Sequence, residues 1–83
     1  MSYTVLFTDT ALSQILKLDP AVQGRIIKAI ERVRVRPYRY VKKLVGLPFY
    51  RIRSGDYRII VDIQERTVTI LVLEVGHRKK IFK

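Results

Sequence analysis

The chain has 83 residues, and we expect one domain spanning residues 1–83, because a chain of this size buries only about 60% of its surface and has no room for a second core. It has no cysteine and one histidine, His77, which excludes a disulfide framework, a thiolate metal site and a cysteine nucleophile, so we expect neither metal nor cofactor. Its net charge of +10 exceeds the magnitude of about 2 to 8 that keeps a small domain soluble, which predicts a polyanionic partner, either nucleic acid or an acidic protein.

The chain is predicted to begin with a strand and a short helix. Residues 2–7 alternate loosely and are rich in Tyr, Thr, Val and Phe, which is typical of a strand, and this strand is expected beside one of the later ones. A helix follows over about residues 10–18, with Thr8 or Asp9 as its cap. Its apolar stripe, predicted to face the core, consists of Leu12, Ile15 and Leu16.

A second helix is predicted to start at Asp19-Pro20, because aspartate can accept the free amides of a helix start and proline has no N–H to lose there. It ends by Arg36, since Pro37 disfavours helical geometry in the residue before it. Its core residues recur every three or four positions and are Val22, Ile26, Ala29, Ile30 and Val33. A basic stripe, interpreted either as a solvated face or as a contact surface, consists of Arg25, Lys28 and Arg32.

Residues 37–48 are predicted to form a loop rich in cations and aromatic residues. Two interpretations are open. In the first, these residues stack on bases and contact phosphates. In the second, Leu44 and one tyrosine fix the loop to the core and the cations are merely exposed.

Residues 49–62 predict a β-hairpin whose loop is Ser54-Gly55. This loop places Arg51 opposite Arg58, with one apolar and one cationic face. Like charges that face each other destabilise a strand pair by about 0.2 to 1 kcal/mol. The arginine pair therefore needs a compensating anion, which is a carboxylate of this chain, an acidic group of a partner or a phosphate.

Glu65 and Arg66 are predicted to form the turn before the last strand, residues 67–76. This turn places Ile63 opposite Val68, so one apolar layer spans three strands. The apolar residues on the other face, which predict a curved sheet partly buried on both sides, are Ile60, Leu71 and Leu73.

These elements predict an α+β fold of order β-α-α-β-β-β, in which a helical hairpin packs on a small, curved, mainly antiparallel sheet. Gly76 permits a bend, so the directions of His77 and Arg78 are open. No run reaches the roughly 18 apolar residues of a membrane span and no signal-peptide pattern opens the chain, so we expect no membrane partner and a cytoplasmic protein.

Three motifs in series resemble the RelE/ParE toxin superfamily, and its RelE branch in particular. They are Lys-Leu-Val-Gly-Leu-Pro at 43–48, Tyr-Arg-Ile-Arg through Gly-Asp-Tyr-Arg at 50–58, and Val-Gly-His-Arg at 75–78. With the element order, the resemblance covers nearly the whole chain.

The resemblance implies the microbial-ribonuclease-like RelE fold and a toxin of a type II toxin-antitoxin pair. Such a toxin enters the ribosomal A site and cleaves translated mRNA, which inhibits translation, and a cognate RelB-like antitoxin holds it inactive. Two alternatives are open: a ParE-like inhibitor of DNA gyrase, and a module that binds RNA or the ribosome without cleaving.

The resemblance also implies an active surface whose catalytic residues are Arg51, Arg53, Arg58 and Arg78. The cations expected to bind RNA or the ribosome are Arg39, Lys42, Lys43, Lys79 and Lys80. Arginines stabilise charge well but carry protons poorly, so metal-independent cleavage would be mostly electrostatic. His77 could serve as general acid or base, or could simply bond to backbone. Phe82 stands near the C-terminus, where some relatives carry a tyrosine for proton transfer, which predicts weak cleavage.

Overall fold

The computed structural model describes residues 2–77 and places two helices on one face of a five-stranded sheet. The elements are β1 (Thr4–Phe7), α1 (Asp9–Leu16), α2 (Pro20–Val35), β2 (Val41–Lys43), β3 (Tyr50–Ser54), β4 (Tyr57–Gln64) and β5 (Thr69–His77). The strand order is β1-β5-β4-β3-β2, with β1 parallel to β5 and the other neighbours antiparallel. The predicted α+β architecture is confirmed. The short strand β2 was not predicted and lies within the expected loop.

The hydrophobic core lies between the helices and the inner face of the sheet. From α2, the buried residues are Ile26, Ala29, Ile30 and Val33, as predicted, and the fifth predicted core residue, Val22, is partly buried against them. From the sheet, they are Ile52, Ile59, Val61, Ile63, Ile70, Val72 and Val75. Burying one such side chain contributes about 1.5 to 3 kcal/mol, so this inner face supplies most of the stability.

Helix α1 buries only one residue of its predicted apolar stripe, Ile15. Thr8 is its N-cap, and its hydroxyl oxygen accepts a hydrogen bond from the Ala11 amide at 3.0 Å while donating to a β5 carbonyl at 2.9 Å. Ala11 and Ile15 are buried, whereas Leu12 is 47% and Leu16 66% exposed. The prediction that both leucines are core residues is therefore wrong. In so short a helix, the attachment of Thr8 to β5 sets which face turns inward.

Helix α2 begins at Pro20, as predicted. The proline starts the helix, but within the described part of the chain the predicted capping by the Asp19 side chain does not occur. The first turn is instead held by the Gln23 amide, which donates to the Asp19 carbonyl at 2.9 Å. Neither helix in residues 2–77 has the length and apolar character that a membrane crossing requires.

The β3–β4 hairpin is confirmed, but its predicted loop is wrong by one residue. The loop consists of Gly55 and Asp56, and Ser54 lies opposite Tyr57. Gly55 has a φ of 57°, which suits the first position of a type II′ two-residue loop. This loop slides one strand past the other by two residues, so each side chain keeps its predicted face and only the facing partners change.

The predicted β4–β5 turn is also wrong. Residues 65–68 form the loop, so Ile63 faces Ile70 rather than Val68. Val68 adopts a left-handed φ of 49°, which is rare for a β-branched residue. The register shifts again after Ile60. Ile60 is 1% exposed on the outer face of the sheet, which confirms that apolar residues lie on both faces.

Candidate nucleic-acid interface

The outer face of the sheet, turned away from the helices, gathers three of the predicted catalytic arginines. Ile52 and Ile59 point to the core, so the alternating neighbours Arg51, Arg53 and Arg58 point outward. We call these three residues the outer arginine face. Arg53 lies directly opposite Arg58. The predicted Arg51–Arg58 pair is wrong, because the hairpin loop is shifted.

Strand β2 extends the outer arginine face to the edge of the sheet. Lys42 lies opposite Arg51, so two like-charged pairs face each other across neighbouring strands. Each such pair costs about 0.2 to 1 kcal/mol. Within residues 2–77, Lys42, Arg51 and Arg53 form no salt bridge. This surface therefore favours an anion brought by a ligand.

A shallow depression of about 180 Å³ lies over this edge. It is lined by Arg39, Tyr40, Val41, Lys42, Arg51 and Arg53. The Tyr40 side chain is 44% exposed, so an aromatic surface is available beside several cations. Base stacking combined with backbone contact uses this combination of side chains.

Arg58 lies deeper than Arg53. Arg58 is half-buried and its Nε atom is buried, whereas Arg53 is exposed. On the other side of Arg58 the facing residue is Gly76, which carries no side chain over this face.

Tyr38 fixes the segment that precedes β2. Its hydroxyl donates a hydrogen bond of 2.5 Å to Glu65, and its ring packs edge-on against Tyr50 with centroids 5.6 Å apart. Partial desolvation and the Glu65 carboxylate raise the pKa of Tyr38 above its ordinary value, which keeps the phenol protonated as a donor. The second interpretation of this segment therefore holds for its tyrosine. Arg39 and Lys42 lie beside the arginines, and their contact with RNA stays a prediction.

Two predicted site residues lie on the inner side of the sheet. Lys43 is opposite Tyr50, and its Nζ is 5.8 Å from the centre of that ring. His77 is opposite Tyr57, with the two rings 5.7 Å apart and nearly perpendicular. The structure therefore does not bring His77 or Lys43 together with the outer arginine face.

Four residues of the predicted active surface lie outside the described residues: Arg78, Lys79, Lys80 and Phe82. Within residues 2–77, no three His, Asp or Glu side chains come together as a metal site would require.

An acidic residue on the outer face was missed. Glu74 lies opposite Ile60, diagonal to Arg58 and within reach of a long side chain. The predicted register would have put Glu74 opposite Tyr57 in the apolar layer. The register shift after Ile60 moves it to the outer face, and nothing in the strand's composition marks that shift.

Comparison with known proteins identifies the family. A family model described as the ParE toxin of the type II toxin-antitoxin system, parDE, matches residues 5–82. The chain belongs to this family of type II toxins. Toxin RelG of Mycobacterium tuberculosis is 32% identical over 90 residues, covering 100% of this toxin and 99% of RelG. The mRNA interferase toxin RelE of Escherichia coli is 31% identical over 83 residues, covering 96% of this toxin and 87% of RelE.

Solved structures agree with this assignment. The RelBE toxin-antitoxin complex from Mycobacterium tuberculosis matches with a TM-score of 0.86 and 31% identity, over 94% of this toxin and 100% of that chain. The intact RelBE complex of Escherichia coli matches with a TM-score of 0.83 and 30% identity, over 92% of this toxin and 96% of that chain. The predicted superfamily and the RelE-like fold of this toxin are confirmed.

Proposed function

We propose that this toxin cleaves messenger RNA on the ribosome and thereby arrests translation. The observation that carries the proposal is the outer arginine face, where Arg51 and Arg53 lie beside Lys42 and form no salt bridge within residues 2–77. A phosphodiester brings the missing negative charge. The name mRNA interferase, borne by RelE of Escherichia coli, supports RNA as the source of that charge.

The chemistry assigned to these residues is stabilisation of a charged transition state. When a 2′-oxygen attacks the adjacent phosphorus, the new O–P bond forms as the bond to the 5′-oxygen breaks, and negative charge collects on the non-bridging oxygens. Planar guanidinium groups donate paired hydrogen bonds to such oxygens. We assign this role to Arg51, Arg53, Arg58 and Arg78. Because these groups supply the positive charge that a divalent cation would bring, we propose cleavage without metal.

Proton transfer is not assigned to His77, because its ring lies against Tyr57 on the inner side of the sheet. The rate enhancement then comes mainly from electrostatic stabilisation and from positioning of the RNA. Phe82 has no hydroxyl to carry a proton. We therefore propose that cleavage is slower than in a relative with a tyrosine there.

The proposed partner is a RelB-like antitoxin, and the solved RelBE complexes support this choice. Helix α1 presents Leu12 and Leu16, 47% and 66% exposed and four residues apart, so both lie on one face of the helix. An amphipathic antitoxin segment can cover this apolar face, and acidic residues in it would match the +10 charge of the toxin. Since translation is the target, we place the pair in the cytoplasm.

The test is primer extension on a messenger translated in a reconstituted reaction. Arg51→Ala and Arg58→Ala should each lower cleavage by about 10² to 10³-fold, as loss of a preorganised donor does. Arg66→Ala is the matched control, because Arg66 is an exposed arginine in the β4–β5 loop. A parent protein that leaves mRNA intact but blocks supercoiling would be a ParE-like gyrase inhibitor. One that binds RNA and does neither would be a non-catalytic module.

A further inference from the structure

Helix α2 carries a row of exposed cations that the proposed cleavage site does not use. At about 100° per residue, Arg25, Lys28 and Arg32 fall within about 60° of one another, and all three are exposed. The one acid of α2, Glu31, is bound by Arg34 at 2.9 Å. Within residues 2–77 no salt bridge involves the three cations, which we call the α2 stripe.

The α2 stripe is continuous with the outer arginine face. A depression of about 250 Å³ is lined by all three stripe cations together with Arg53 and Gly55 at the end of the β3–β4 hairpin. Arg53 also lines the 180 Å³ depression over β2. One arginine of the candidate active surface therefore borders both depressions.

A second connection runs past Tyr40. A groove of about 490 Å³ is lined by the cations Lys28, Arg32 and Arg36, together with Val35, Tyr40 and the Arg34-bound Glu31. Tyr40 also lines the 180 Å³ depression. The three hollows thus form a mainly cationic path from α2 around the β2 edge to Arg51.

We propose that the α2 stripe binds the sugar-phosphate backbone of RNA and directs it through Arg53 to the outer arginine face. This inference rests on the proposed cleavage of RNA. A protein interface usually depends on a few buried apolar or aromatic anchors, whereas the 250 Å³ depression beside Arg25 and Arg32 is lined by cations and small residues, with no large apolar side chain. A phosphate backbone requires only regularly placed positive charge. The stripe spans about 10 Å at 1.5 Å per residue, which matches an extended ligand better than a single ion.

The experiment compares two variants with the same loss of charge. Lys28→Gln/Arg32→Gln removes two cations shared by both α2 hollows, and Lys17→Gln/Arg66→Gln removes one exposed lysine and one exposed arginine elsewhere. Glutamine has nearly the helix propensity of lysine and arginine, so both variants should fold, as circular dichroism can verify. The affinity of the parent and of each variant for an uncleavable, fully 2′-O-methylated single-stranded RNA is measured over a range of salt concentrations.

The stripe variant should lower the slope of log affinity against log salt by about 1.4, since each single-strand phosphate contact contributes about 0.7. The control variant should keep the parent's slope. Equal slopes in the two variants would overturn the proposal. So would a stripe variant that loses only its affinity for an antitoxin, because the stripe would then be a protein surface.

A second set of measurements identifies which RNA supplies the sugar-phosphate backbone. Sedimentation with ribosomes that carry no messenger reports on ribosomal RNA, and the free oligonucleotide reports on messenger-like RNA; weakening in either measurement supports the stripe and names the source. The two proposals fail separately. A parent that does not cut translated mRNA overturns the cleavage proposal, whereas a parent that cuts while both variants bind alike overturns only the α2 assignment.

Discussion

The two faces of the sheet use the same strands for opposite purposes. On the inner face, Ile52 and Ile59 pair at 2% and 0% exposure. One residue away on the outer face, Arg53 pairs with Arg58. The inner pair contributes several kcal/mol by burial, and the outer pair costs a fraction of one by repulsion. Stability and charge are therefore placed on separable residues of one hairpin.

This separation explains how a small domain tolerates a surface of like charges. The repulsion between facing cations is small beside the burial on the other side of the same strands. Such a surface gains from a bound anion without needing one to fold. Substitutions on the inner face should then change mainly stability, and substitutions on the outer face should change mainly the binding of anions.

The largest expected effect is on the inner face. Ile59→Ala should lower the free energy of unfolding by about 2 to 5 kcal/mol, because it leaves a cavity in a fully buried site. Urea denaturation measures this loss. Arg53→Gln, on the neighbouring strand, is the control and should raise stability by about 0.2 to 1 kcal/mol, because it ends the repulsion with Arg58. Similar losses in the two variants would contradict the division between the faces.

On the outer face, a substitution should lower activity without lowering stability. Arg51→Gln should lower mRNA cleavage by about 10² to 10³-fold through loss of a donor to the transition state. It should also raise stability by about 0.2 to 1 kcal/mol, because it ends the repulsion with Lys42. Primer extension and urea denaturation on one protein preparation test both. A stability loss would mean that an anion from this chain already neutralises Arg51.

Proton transfer gives a third test, which compares His77 on the inner face with Phe82, a residue outside the described range 2–77. Phe82→Tyr should raise single-turnover cleavage on programmed ribosomes, by as much as the roughly 10²-fold that a positioned acid or base supplies. His77→Ala is the matched change on the inner face and should leave the rate within about three-fold, because the ring lies against Tyr57. A large loss at His77 with no gain from tyrosine would move proton transfer to the histidine.

The exposed face of α1 should behave as a third, independent surface. Leu12→Ser/Leu16→Ser should weaken antitoxin binding by about ten-fold or more, as loss of apolar anchors does. Both side chains are already largely exposed, so stability should change little. Calorimetric titration with the antitoxin measures the effect, and cleavage by the free toxin serves as the control. An unchanged affinity would place the antitoxin elsewhere.

The alternation of β3 and β4 could be predicted because a slide of two residues preserves which side chains face the core. The facing partners could not. They depend on the loops, where Ser54-Gly55 and Gly55-Asp56 are both plausible and only the left-handed φ of Gly55 decides. In the next loop the left-handed position is held by Val68, and sequence rules assign that position to glycine or asparagine.

The site was predictable to the extent that it depends on alternation. Arg51, Arg53 and Arg58 share a face in either register, whereas Glu74 reaches that face only through the register shift after Ile60. The strand Val41–Lys43 is too short for a periodic signal, and its cations resemble those of a loop. The exposure of Leu12 depends on how Thr8 attaches α1 to β5, which no local pattern encodes.

The smallest predicted effect concerns Tyr38, which joins the segment before β2 to the β4–β5 loop. Near neutral pH, Tyr38→Phe should cost about 0.5 kcal/mol, the low end for a hydrogen bond because the side chain is 46% exposed. The pKa of Tyr38 is raised in the folded state, so its contribution is complete below the unfolded value of about 10 and is lost as the pH rises through the folded value. The stability difference between the parent and Tyr38→Phe should therefore shrink above about pH 10 and then reverse, because ionisation of the phenol favours the unfolded chain.

Tyr40→Phe is the control, since Tyr40 is 44% exposed and its hydroxyl forms no hydrogen bond within residues 2–77. A Tyr38 difference that stays constant from neutral pH to about pH 11 would show that the Glu65 carboxylate does not act on this phenol.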